Sequence, residues 1–168
     1  MVKRAVRRTL LIVCEGKRDA AFLLHLRKLY CADHPDRPKV TVKSARGKGG
    51  NNVFDTLYGE KRHKDFDVGV AFTEADEPPK PSYQSKLNTD RWARWILADP
   101  CLEGLLLSIL GRPVPASTNE CKRAIENLIR NNLFEADHYD PHWPLARLED
   151  ARRRIANLDE LIRSYEGR

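Results

Sequence analysis

No apolar run in the chain approaches the roughly 18 to 20 residues that a membrane-crossing helix needs. The opening segment, MVKRAVRRTLLIVCEG, has a charged head and a short apolar stretch, Leu10 to Cys14. That stretch is about half the length of a signal-peptide core, and no small-residue cleavage site follows it. Cysteine is sparse. Cys14, Cys31, Cys101 and Cys121 are far apart and form no C-x-x-C pair, which excludes a zinc ribbon and a disulfide framework and predicts reduced, mostly buried thiols in a cytoplasmic chain with no membrane contact. There is no internal repeat and no low-complexity tract. The G-x-x-x-x-G-K-[ST] spacing of a Walker loop is missing. Ser44 and Ser108 have no evident histidine partner, so a nucleophile triad finds no support.

What is present suits one packed domain over residues 1–168. Hydrophobic residues make up 41% and charged residues 32% of the 168, enough apolar content for a core. Lys and Arg number 30 against 24 Asp and Glu, a formal charge of +6. Such a balance suits an anionic partner such as nucleic acid, and equally a charge that only serves solubility.

The first two thirds of the chain alternate strand and helix signals, the pattern of an α/β fold with a mainly parallel, four-stranded sheet. Thr9 to Cys14 (TLLIVC) is a continuous apolar run, as expected of a strand buried on both faces. Arg18 to Tyr30 has helical spacing of Phe22, Leu26 and Tyr30, with His25 at its surface or core edge. Lys39 to Lys43 alternates as a second strand. Arg46 to Gly50 (RGKGG) reads as a basic loop, Asn51 to Gly59 as a short helix, and Lys61 to Lys64 (KRHK) as a solvated turn. Phe66 to Thr73 is the third strand, the proline-rich segment 76–81 a loop, and Trp92 to Ala98 the fourth strand. An apolar helix follows over Cys101 to Leu110, closed by Gly111. The spacing of Ser117 and Glu120 predicts a capping box and a helix running to about Asn131. A last helix starts between Pro141 and Leu145, with Leu148, Ile155, Leu158, Ile162 and Tyr165 as its apolar stripe. Its arginines, Arg147 and Arg152 to Arg154, read as a solvated face salt-bridged with Glu149, Asp150 and Asp159, and Trp92, Trp95 and Trp143 as core. His138 and His142 are separated by Pro141, which disfavours a metal pair there.

Open α/β sheets present ligands at the C-terminal ends of their strands. Glu15 directly follows the first strand, and Asp19 lies one helical turn beyond it. Glu74 and Asp76 end the third strand, two positions apart and so pointing the same way. If the first and third strands are neighbours, Glu15, Glu74 and Asp76 converge. Clustered carboxylates repel unless a cation offsets them. Oxygen-only ligands favour Mg²⁺ or Mn²⁺, ions able to clamp phosphate oxygens and activate water. The loop bearing Arg46 and Lys48 lies on the same rim and suits a phosphate backbone, as do Lys17 and Arg18.

These residues resemble the Toprim family. IVCEGKRDAAF (12–22) is similar to its first motif, an apolar strand, Glu-Gly, then an acid four positions after the Glu. AFTEAD (71–76) is similar to its Asp-x-Asp motif, with Glu74 in the place of the first Asp. ADPCLE (98–103) resembles the Asn-Pro-Cys-Phe-Glu stretch of RloB-like members, with Leu102 and Gly104 where an aromatic and a Trp usually stand. The likeness spans roughly residues 9 to 110, leaving 117–168 as a helical extension, and is closest to RloB-like and OLD-like nucleases. It implies Glu15 as the essential acid (metal ligand or proton carrier) and Glu74 and Asp76 as Mg²⁺ ligands. It further implies Asp19 as a ligand of a second ion and Glu103 as a member of the metal shell or an acid favoured at a helix start.

The expected activity is therefore Mg²⁺-dependent hydrolysis of phosphodiester bonds in DNA or RNA, with a role in phage defence implied by the resemblance alone. The alternative is a non-catalytic nucleic-acid-binding or regulatory module acting as a subunit of a larger complex; either reading leaves room for a homodimer or a partner protein. A nucleotide phosphohydrolase is the third option.

Overall fold

The computed structural model describes residues 6–130 and 132–168. The charged head at residues 1–5 and the predicted helix end at Asn131 lie outside the described residues. The elements run β1 (Thr9–Cys14), α1 (Lys17–Cys31), β2 (Lys39–Ser44), α2 (Gly49–His63), β3 (Val68–Glu74), α3 (Pro81–Thr89), β4 (Ala93–Ala98), α4 (Leu102–Ile109), α5 (Thr118–Leu128), a 3₁₀ turn at Ala136–Tyr139, α6 (Leu145–Ala151) and α7 (Ala156–Glu166). The protein is an α/β fold with a four-stranded, all-parallel sheet in the order β2-β1-β3-β4. No described helix is long and apolar enough to cross a membrane.

β1 lies inside the sheet, paired to β2 and to β3. Its continuous apolar run follows from that position, because alternate side chains enter opposite layers. Leu10, Ile12 and Cys14 join the larger core with α1, α4 and the C-terminal helices. Leu11 and Val13 join the smaller core with Phe54 and Leu57 of α2. Tyr139 and Trp143, both fully buried, fasten the C-terminal segment to the first layer. The Tyr139 hydroxyl lies 3.1 Å from the Arg18 carbonyl of α1, and the Trp143 indole donates to the Leu106 carbonyl at 3.2 Å. His25, expected near the surface, is fully buried, with its Nε2 2.8 Å from the Trp143 carbonyl.

Several local expectations change. The RGKGG loop is shorter, because Gly49 and Gly50 already belong to α2. A Cβ on Gly50 would stand 2.8 Å from the Glu77 carbonyl oxygen and 2.9 Å from the Pro79 nitrogen, so the helix starts under the β3–α3 loop only with glycine there. The KRHK segment is helical up to His63, where cations favour the negative end of the helix dipole. α3 begins at Pro81, whose missing N–H costs nothing in a first helical turn; Tyr83 and Leu87 hold it against the smaller core. The expected last helix is two. Ile155 is extended (φ −119°, ψ 98°) and precedes α7, while Arg152 at the end of α6 reaches Asp159 at 2.7 Å and Glu166 at 3.0 Å in α7. The apolar stripe survives the break, with Leu148, Leu158, Ile162 and Tyr165 all buried.

Candidate functional site

The C-terminal ends of β1 and β3 and the first turns of α1 and α4 meet at one edge of the sheet. There Glu15, Asp19, Glu74 and Glu103 line a single cleft of about 390 Å³, together with Lys17, Arg18 and Lys122. Each acid is held by its own element. The Gly16 N–H donates to Asp19 Oδ2 at 2.9 Å, closing the first turn of α1. The Leu102 N–H donates to Glu74 Oε1 at 2.9 Å, so the end of β3 caps the start of α4. Arg18 pairs with Glu103 Oε1 at 2.8 Å and reaches Glu126 at 3.7 Å.

Three carboxylate oxygens of this cleft, Glu15 Oε2, Asp19 Oδ1 and Glu103 Oε2, are buried without a hydrogen-bond partner. Leaving such atoms unpaired is costly. Glu15, Asp19 and Glu74 bind their protons more tightly than free carboxyls do. Burial, then the hydrogen bond and charge of Glu77, raise Glu15 to about 7, with Asp19 and Asp76 adding to it. Burial raises Asp19 to about 6, against the Gly16 N–H and with the Glu103 charge. Burial raises Glu74 to about 8, the Leu102 N–H opposing it and Asp19, Glu103 and Asp76 adding to it. By charge and chemistry, unpartnered and mutually repelling carboxyl oxygens suit a hard divalent cation, though no three carboxylates of the cleft bring oxygens within 4.8 Å of one another.

The predicted residues do not all gather. Asp76 is exposed and absent from the cleft lining; its Oδ2 accepts from the Thr118 hydroxyl at 2.7 Å. Glu77, not Asp76, is the acid that raises Glu15 most, after burial. Among the described residues, the one trio of acidic, histidine or cysteine ligand atoms lying within 4.8 Å of one another is Glu74, Cys101 and Glu103. Glu15, Glu74 and Asp76 share the rim without approaching that closely, as like charges with other partners would. Lys17 and Arg18 do line the cleft, whereas Arg46 and Lys48 do not. These last two are exposed in left-handed conformations (φ 60° and 70°) on a loop tied to Glu15 by a 2.8 Å bond from the Gly47 N–H to the Glu15 carbonyl.

Sequence reasoning missed Glu77, Lys122, Cys101 and Phe134. Phe134 is 49% exposed at the cleft, with the Arg18 guanidinium 5.0 Å from its ring centre. Cys101 stands inside the ADPCLE segment, which was the available signal; the others lie on segments whose approach only the fold determines. All four cysteines are buried and free, as their spacing led one to expect.

Comparison with protein-family models, with curated proteins and with solved structures finds no match.

Proposed function

We propose that this chain is a Toprim-like, metal-dependent phosphodiesterase acting on nucleic acid. The observation that carries the reading is the set of three buried, unpartnered carboxylate oxygens, from Glu15, Asp19 and Glu103, in one cleft at the C-terminal edge of a parallel sheet. The motif resemblance around Glu15, Asp19 and Glu74 supports it, and so does the +6 charge.

Asp19 and Glu74 would hold Mg²⁺ or Mn²⁺, with Glu103 beside them and water completing the shell. When bound, such an ion polarises phosphate oxygens and lowers the pKa of a water. The chain's own residues supply the rest. Lys17, Lys122 and Arg18 offer cations to the phosphate backbone at the cleft. Phe134 offers an exposed aromatic face for a base. Glu15, which keeps its proton up to about pH 7 beside Glu77, is suited to carry a proton at its carboxylate. Contacts of this kind position a backbone and read little sequence. Reduced thiols and a nucleic-acid target suit the cytoplasm.

The test is cleavage of labelled single- and double-stranded DNA and RNA with Mg²⁺ or Mn²⁺. Glu15→Gln and Glu74→Gln are expected to abolish cleavage and to retain binding; unchanged cleavage in both refutes the assignment. The outward Asp76, bonded to Thr118, favours a second reading, a binding module without catalysis. That reading predicts retained binding and no metal-dependent cleavage in the unaltered protein.

A further inference from the structure

We propose that Cys101, Glu74 and Glu103 form a binding site for a thiophilic divalent cation of the zinc class, open to the cleft on its remaining side. Ligand atoms of the three lie within 4.8 Å of one another. Around a tetrahedral zinc such atoms stand about 3.3 to 3.8 Å apart, from the usual bond lengths, so a contraction of about an ångström closes the shell. The site is built by one short turn. Cys101 precedes α4 and Glu103 lies in its first turn, and the Leu102 N–H between them anchors Glu74 at 2.9 Å.

Burial points the same way. Cys101 is 0% and Glu103 2% exposed, and Glu103 Oε2 has no hydrogen-bond partner in the folded chain. Glu74 and Glu103 both line the cleft, which leaves a coordination position for water or a ligand, as in zinc sites with three protein ligands. Charge also closes. Two carboxylates and a thiolate carry three negative charges, offset by a divalent ion and by Arg18, whose guanidinium lies 2.8 Å from Glu103 Oε1. Sulfur selects the ion: a thiolate suits zinc and cobalt, whereas magnesium prefers oxygen alone. Binding breaks the Cys101 S–H bond, forms a sulfur–metal bond and releases the proton to water. The neighbouring Cys121 falls outside the trio, with its thiol 3.4 Å from the Pro115 carbonyl. The inference shares Glu74 and Glu103 with the nuclease reading but requires no phosphodiester cleavage.

The experiment adds Co²⁺, as a spectroscopic stand-in for zinc, to the purified full chain without nucleic acid. The expected result is a near-ultraviolet thiolate-to-cobalt charge-transfer band that saturates at one ion per chain and vanishes on adding Zn²⁺. It is lost in Cys101→Ser and kept in Cys121→Ser. Absence of the band in the unaltered protein, or its survival in Cys101→Ser, overturns the proposal. Should Cys101→Ser fail to fold, Cys14→Ser, Cys31→Ser and Cys121→Ser decide it. The band kept in all three assigns it to Cys101, and its loss in any one overturns the proposal. Because the band is read without substrate, its outcome is independent of whether the chain cleaves nucleic acid.

Discussion

The carboxylate of Glu74 accepts the Leu102 N–H at 2.9 Å, so the last residue of β3 caps α4 across the sheet edge. Two substitutions separate the cap from the charge. Glu74→Ala removes the acceptor and should lower stability by about 1 kcal/mol, the usual worth of a helix cap. Glu74→Gln keeps an acceptor and removes a charge that the site disfavours. Its melting temperature without metal should match or exceed that of the unaltered protein above pH 8, while its response to Mn²⁺ shrinks. A Gln variant as unstable as the Ala variant would show that the charge, not the acceptor, holds α4.

Burial and like charges raise Glu15 to about 7, Asp19 to about 6 and Glu74 to about 8, against ordinary values of 4.5, 3.8 and 4.5. Each group thus binds its proton more tightly folded than unfolded. Stability contributed by these protons is full below about pH 4, declines progressively above it, and is gone once pH has risen through about 6 to 8. Without divalent metal, this component of the melting temperature should fall across that window. A saturating divalent cation that binds only the folded state should remove the fall. The measurement is thermal unfolding against pH with and without Mn²⁺. Identical profiles in the two conditions would count against cation binding at this edge.

Much of this edge was legible from residue order, for definite reasons. β1 announces itself because both of its faces are buried, and Glu15, Asp19 and Glu74 follow from where apolar runs stop. The rest depends on approach between distant segments. Thr118, at the start of α5, draws Asp76 outward, and nothing near residue 76 encodes that. Glu77 reaches Glu15 because the β3–α3 loop folds over two glycines of α2. The break between α6 and α7 hides within an unbroken apolar stripe, since Arg152 replaces continued helix with ion pairs to α7.

Arg152 supplies the third prediction. Its side chain is 11% exposed and pairs with Glu149, Asp159 and Glu166, the last itself 11% exposed. The Arg152 hydrogen bond holds Glu166 down at about 2. A depressed carboxylate contributes stability above its ordinary value of 4.5 that disappears as pH falls toward 2. Arg152→Ala leaves Glu166 paired with Arg168 alone and should cost about 1.5 to 3 kcal/mol near neutral pH, the usual worth of hydrogen bonds between charged groups. At pH 3 the cost should be smaller. Urea unfolding midpoints at the two pH values test it, and an equal cost at both would place the effect in packing instead of charge.

Two glycines of α2 give the last prediction, as a matched pair. Gly59 lies within the helix, and a methyl group added there would meet nothing within 4 Å. Gly59→Ala should therefore stabilise by about 0.5 to 1 kcal/mol, through helix propensity alone. At Gly50 the same methyl group would stand 2.8 Å from the Glu77 carbonyl oxygen and 2.9 Å from the Pro79 nitrogen. Both are backbone atoms, so the β3–α3 loop must move, which breaks the 3.1 Å bond from the Gly50 N–H to the Glu77 carbonyl. Gly50→Ala should destabilise despite its better helix propensity. It should also shift the pH dependence of the acidic edge, because the displaced segment carries the Glu77 carboxyl that raises Glu15. Thermal unfolding of the two variants at pH 5 and pH 8 separates the contributions. A stabilised Gly50→Ala protein would mean that the loop packs on α2 without needing the missing side chain.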